Sequence, residues 1–491
     1  MELEWPMYDL IVIGDDLASH VAAAAACQNG INTLLIAENG LGGLKLIGDY
    51  VFNLDPTPIT GLGPDGHGRT ILKELGIEMP EDESAPLNPS YQIILPEHRI
   101  DFFNSPDALS AELAREFPDC DADIHDFYEM AQNASSVFST WLFDHPHIQP
   151  RTLKEYIEYL KIFPYVFRYK FGVAKFDKFL SINPELEKVW EAQYALLAGN
   201  QSDMFSFASA FQYCAPLRGV SCFAQGKQFL FNELINKIES RNGLHLDHYQ
   251  ILSVTPGHNI DIEMKARDGQ ISKVSSRNLI ISTKSDKLSL IFDQTKPANY
   301  SDRFRPAKVI YYPFTLFLGV LQKCLPQQLA RHVAVVCDIN KGLLNDNLIL
   351  LEAGPPEKDQ RIMDARTPLT ATVFLSPDKM NWEPDALKKK AADIISRLEY
   401  FLPFMADNIE LNNVDQSIEI SIACRNLVTP RYEVKNNLFT SFSAKSNKTR
   451  YRNIFLTGAS LLSDAGFDAE IISGKNAVQQ VLNKRKALHE T

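Results

Sequence analysis

The stretch Asp9-Leu-Ile-Val-Ile-Gly14-Asp15-Asp16-Leu17, the alanine-rich run that continues to Cys27, and Thr33-Leu-Leu-Ile-Ala37-Glu38 together decide the fold. Residues 9–13 are a short apolar run rich in β-branched side chains that stops at a glycine, and residues 17–27 carry a helical pattern. Thr33 to Ala37 is a second apolar run. Strand, tight turn, helix and strand in this order predict a βαβ unit whose turn faces the pyrophosphate of a dinucleotide. Glu38 then stands where an acid meets the adenosine ribose hydroxyls. The reading is therefore α/β, with a Rossmann-like domain of FAD/NAD(P)-binding type.

The phosphate turn departs from the pattern it implies. G-x-G-x-x-G falls on Gly14, Asp16 and Ser19, so one glycine of three is kept. An aspartate at the second position adds a Cβ and a negative charge where the backbone should approach a phosphate. A like charge at ~4 Å and an effective dielectric near 20 costs about 4 kcal/mol, roughly a thousandfold in affinity. Three arrangements relieve it: Asp16 turns outward, it is neutralised by a lysine or arginine, or it caps the helix starting near Leu17.

Composition sets the outer limits. A chain of 491 residues, 45% hydrophobic and 22% charged, is of ordinary globular type and long enough for two or three interleaved domains. No apolar run reaches the ~18 residues needed to span a bilayer, and Met1–Met7 lack a basic n-region, which predicts a cytoplasmic protein. A formal charge of −12 opposes nucleic-acid binding, which needs a basic footprint. The seven cysteines make no C-x-x-C pair, and the histidines have no metal-binding spacing, so no metal site is expected. No G-x-S-x-G elbow is present, and no residue is singled out as catalytic.

Further segments carry a family resemblance. Gly42-Gly43, then Gly48-Asp-Tyr-Val-Phe-Asn-Leu-Asp-Pro-Thr-Pro-Ile-Thr-Gly61, resemble the segment that lies along the cofactor in the phytoene desaturase branch of the amine-oxidase-type flavoproteins. Gln225-Gly226-Lys-Gln-Phe-Leu, Asn278-Leu-Ile-Ile-Ser282 and Pro313 to Gly319 are similar to later parts of that family. Asn453-Ile-Phe-Leu-Thr-Gly458-Ala459, running into Asp464-Ala-Gly466 and Ser473-Gly474, resembles its C-terminal flavin motif. The resemblance implies FAD as cofactor, with Gly42, Gly43, Gly458, Ala459 and Gly466 against it. It also implies an apolar, isoprenoid-like or lipid substrate. Several positions depart from the family: Leu44 stands for an arginine, Asp55 and Asp464 for glycines, Ala469 for a glycine and Ser463 for a proline. Three new carboxylates, Asp16, Asp55 and Asp464, would then surround a dianion.

Two functions follow. One is an FAD-dependent oxidoreductase related to the phytoene desaturases. The other is a flavin-less relative that uses the scaffold to bind a lipid or a protein partner, as the Rab GDP-dissociation inhibitors do on a similar architecture. The cofactor-type domain is expected from residues 1–80, 215–300 and 425–485, with a mixed α+β substrate domain from 81–214 and 301–424. Within the latter, residues 151–180 interleave nine aromatic side chains with seven lysines and arginines. That patch reads either as amphipathic helices with core aromatics, split at Pro164, or as a peripheral contact with an anionic membrane.

Overall fold

The opening run forms strand β1 (Tyr8–Ile13), the alanine-rich segment forms helix α1 (Leu17–Gln28), and the second run forms strand β2 (Thr33–Ala37). The computed structural model describes residues 5–39, 43–64, 66–80, 85–144, 153–197, 204–223, 226–285, 287–291, 308–344, 346–354, 365–425, 428, 430–433, 446–462 and 465–489. β1 and β2 pair in parallel, with Leu10 opposite Thr33 and Ile13 opposite Ile36. Leu244–Asp247 continues the parallel sheet beyond β2; on the other side of β1 follow Ile271–Ser282 and Ile454–Thr457. These strands are covered on both faces, which is why Ile11, Val12, Leu34, Leu35 and Ile280 are all fully buried and the runs are continuously apolar. An antiparallel hairpin, Gln250–Thr255 with Ile260–Lys265, extends the sheet past Ile271–Ser282.

Alanines 22–26 keep α1 thin enough to lie buried between neighbours. One neighbour is the last helix, Asp468–His489, which crosses it so closely that a methyl group on Gly474 would lie 2.5 Å from the Ala18 carbonyl oxygen.

A second sheet runs Ile409–Asn412, Val309–Leu321, Arg366–Leu375, Leu348–Ala353, His332–Val336, Tyr91–Ile94, Arg99–Phe102. It is antiparallel except where His332–Val336 meets Tyr91–Ile94. One face packs on the helix Pro384–Phe401 through Leu351, Ala371, Val373, Ile394 and Leu398. Helices between 106 and 213 build an aromatic core in which Phe127 stacks on Phe176 and meets Trp190 and Tyr213 edge-on. The fold is thus α/β, a Rossmann-like sheet interleaved along the chain with a mixed α+β part. Arg431–Tyr432 pairs with Val309–Leu321 and so belongs to the second sheet.

Residues 153–180 correct one expectation. They form one continuous helix, Leu153–Leu180, with Pro164 inside it. Pro164 is on the exposed side, where water can take the hydrogen bond that the proline cannot supply. The aromatics also divide: Tyr169 and Phe176 are core, whereas Tyr156, Tyr165, Phe167 and Phe171 are at least half exposed. Among the described residues, no helix is long and apolar enough to cross a membrane.

Candidate functional site

Helix N-termini present unpaired N–H groups and a partial positive charge, which is why a dinucleotide's pyrophosphate sits at the end of the first Rossmann helix. Here the chain places a carboxylate of its own at that end. Asp16 is the N-cap of α1, and its Oδ1 accepts hydrogen bonds from the Ser19 N–H at 3.1 Å and the Ser19 Oγ at 2.6 Å. Its Oδ2 accepts from Ser282 Oγ at 2.6 Å, at the end of the neighbouring strand. Asp16 is 5% exposed. Of the three arrangements open to it, capping is adopted, and the Lys284 ammonium acts on it as well.

The glycine before it is closed off in the same way. Gly14 has φ +152°, which L side chains rarely adopt, and a methyl there would lie 2.3 Å from Ser19 Oγ and 2.6 Å from Ser282 Cβ. Asp15 points away and accepts from the Asn39 N–H and Nδ2 at 2.9 and 3.0 Å. Glu38, expected at a ribose, accepts from the Ile251 N–H at 2.8 Å and pairs with Lys287 at 3.5 Å. Its carboxylate is committed to the hairpin edge.

The C-terminal motif shows the same pattern. Gly458 ends the strand Ile454–Thr457 with φ +128°, and its N–H donates to Ser473 Oγ at 2.7 Å. A methyl on Gly458 would meet Thr283 Oγ1 at 2.3 Å. Ala459 is buried in the turn after it, and Gly466 faces the Leu197 carbonyl. Gly43 lies against the backbone of Lys227 and Gln228. Gly42 and Asp464 lie outside the described residues.

The first turn of the Asp468–His489 helix carries two further carboxylates. Glu470 pairs with Lys284 at 2.5 Å, their side chains 9% and 3% exposed. Asp468, 1% exposed, accepts from Thr60 Oγ1 at 2.8 Å. Burial raises its pKa, opposed by Arg218, Thr60 and His67. Asp55 accepts from the Thr57 N–H and Oγ1 and pairs with Lys227 at 3.0 Å. Burial would raise Asp55, but Lys227 and Lys284 hold it well below the usual carboxylate range. Burial would likewise lower Lys284, yet Glu470, with Tyr432, Asp16 and Asp55, holds its ammonium well above the ordinary lysine value. Arg431, over the Phe374 ring at 4.1 Å, is lowered to about 10 by burial, with Asp55 acting against it. Arg218 lies 3.5 Å over the Phe211 ring and donates to the Phe211 carbonyl.

Asp16, Asp55 and Glu470 thus lie among Lys227, Lys284 and Arg431, three acids against three cations, while Asp468 lies beside Arg218 and His67. The formal charges of this cluster balance, and the N-terminus of α1 is already capped by the Asp16 carboxylate. This charge arrangement does not fit a pyrophosphate dianion at α1, where the Ser19 N–H and the neighbouring Lys227 and Lys284 already serve carboxylates.

The sequence indicated Asp16, Asp55, Glu38 and the glycines, but not Lys227, Lys284, Arg218, Arg431, Asp468 or Glu470. Acids in a first helical turn read as ordinary surface residues. Only their burial marks them. The one sequence signal was Lys227, directly after Gly226 in a segment already singled out.

No family model and no curated protein matches the chain. Solved structures of similar fold include cyclohexylamine oxidase from Brevibacterium oxydans, 12% identical over 98% of this chain and all of that one, with TM-score 0.56. An oxidoreductase from Methanosarcina mazei is 12% identical over 96% of this chain and 99% of that one, with TM-score 0.51. Rab GDI from Plasmodium falciparum is 11% identical over 99% of both chains, with TM-score 0.50. The likeness is one of fold: this chain shares its overall architecture with these solved structures.

Proposed function

We propose that this chain is a flavin-independent binding protein on the amine-oxidase scaffold, serving a lipid or protein partner rather than carrying out redox chemistry. The observation that carries this reading is the Asp16 carboxylate, buried at the N-terminus of α1 with three hydrogen bonds, in the place a pyrophosphate would take. The cluster around Lys284 and Lys227 supports it, because both cations are already paired with buried carboxylates that a dianion would have to displace. A protein of this fold without flavin has a counterpart in function among Rab-binding relatives of the scaffold, as the resemblance implies.

The second reading is an FAD-dependent oxidoreductase of the phytoene desaturase type acting on an apolar substrate. Its support is the intact β1–α1–β2 order with Glu38 closing β2, and the oxidoreductases among the similar folds. In that case the flavin would supply the hydride chemistry and the chain would position the substrate.

The deciding experiment is the visible absorbance of protein purified without added cofactor, followed by titration with FAD and gel filtration. The expected result is a colourless protein that elutes free of flavin at excess FAD. Stoichiometric flavin carried through the column would overturn the first reading and establish the second.

A further inference from the structure

The helix Leu153–Leu180 is apolar on two opposite sides. Its inner side buries Val166, Tyr169, Val173, Phe176 and Leu180 against the body of the protein. Its outer side presents Leu153, Ile157, Leu160, Pro164, Phe167 and Phe171, at alternating spacings of four and three residues, which place them along one line of the helix. Leu153 is 79% exposed and Phe171 77%, with Ile157, Leu160 and Phe167 between 50 and 60%. At 1.5 Å per residue the line is roughly 27 Å long. An isolated exposed leucine needs no explanation; a continuous exposed line of this length marks an interaction surface.

The charge beside the line identifies what covers it. Lys161, Arg168 and Lys175 recur every seven residues and so form a column along one flank, all exposed. Lys175 pairs with Asp123 at 3.5 Å, and Lys178 extends the positive charge at the C-terminal end. In a chain of net charge −12 this is a local reversal of sign. A second copy laid antiparallel on the same line would set the cationic column against itself.

We infer that this outer face docks on an anionic lipid surface, with Phe167, Phe171 and the aliphatic residues entering the acyl boundary and the cations meeting lipid headgroups. Aromatic and aliphatic side chains on one side of a helix, flanked by lysine and arginine, form the composition that lies in the plane of a bilayer interface. The inference is independent of the flavin question, since the face is the same whether or not the cleft accepts a dinucleotide.

The test is flotation of the full-length protein with vesicles of phosphatidylcholine alone or with about one-third phosphatidylserine, at low and raised salt. The expected result is flotation with the anionic vesicles only, weakened by salt. At about fivefold per cation, Lys161→Glu/Arg168→Glu/Lys175→Glu lowers the partition coefficient by at least on the order of a hundredfold. Phe167→Ser/Phe171→Ser also abolishes flotation, and because these side chains are exposed its circular dichroism and melting temperature stay those of the parent. Three outcomes would overturn the inference: no flotation with either vesicle, flotation indifferent to both variants, or a dimer in light scattering that Phe171→Asp dissolves. The last would assign the face to a second copy of the chain.

Discussion

Replacing Lys284 by methionine removes the cation between Glu470, Asp16 and Asp55 while keeping the length and apolar volume of the side chain. The Lys284–Glu470 pair is 2.5 Å long and more than nine-tenths buried on both sides. Taking away one partner of such a pair leaves an uncompensated buried charge and costs about 3–5 kcal/mol. Glu470 would respond by taking up a proton, since burial already pushes its pKa upward and Lys284 is the chief group opposing this. The double variant Lys284→Met/Glu470→Leu replaces the pair with apolar groups of similar volume and should lie within about 1–2 kcal/mol of the parent. The control is Lys388→Met, whose partner Asp415 is 2.8 Å away but exposed and screened by water, so its loss should be small beside that of Lys284→Met. Urea unfolding followed by tryptophan fluorescence and by circular dichroism ranks the four proteins. The reasoning is refuted if Lys284→Met loses no more stability than the exposed control, or if the double variant is no better than the single one.

Asp16→Ala removes the α1 cap and leaves the Ser19 and Ser282 hydroxyls without their acceptor, an expected loss of about 2–3 kcal/mol in the same urea assay. His20 and His332 are lowered to about 4, chiefly by burial. Both are therefore neutral in the folded state and charged when unfolded between pH 6.5 and 4. Their stabilisation is complete above pH 6.5 and is lost as pH falls towards 4, by as much as about 3 kcal/mol each. Melting temperatures measured across that window should fall, and His20→Gln should flatten the curve. Gly458→Ala introduces a methyl 2.3 Å from Thr283 Oγ1 at φ +128°, so a melting-temperature loss equivalent to more than about 2 kcal/mol is expected.

The order β1–α1–β2 was legible in the sequence because its signals are local: β-branched runs, a glycine at the turn and an alanine-rich helix are read within a window of a few residues. Capping by Asp16 was legible as one of three possibilities, since a cap bonds to the residue three places ahead. What selects it is Ser282, 266 positions away, and sequence patterning carries no signal over that distance. The helix at 153–180 was recognisable as aromatic and basic. With apolar residues on both sides, however, its periodicity did not show which side faced the core, and Pro164 misled because the cost of a proline depends on whether its side of the helix is wet.

By itself the sequence determined the α/β scaffold, the place of the dinucleotide turn and the departure of that turn from its glycine pattern, all consequences of local periodicity and backbone sterics. The tertiary structure alone decided how the departures are resolved. Lys227 reaches Asp55, and Lys284 reaches Glu470, across 172 and 186 positions, and these contacts turn isolated charges into a neutral buried cluster. The physical reason is that a charge acquires its meaning from what surrounds it: the same carboxylate is an ordinary surface group in water and, once buried beside an ammonium, an occupant of the site.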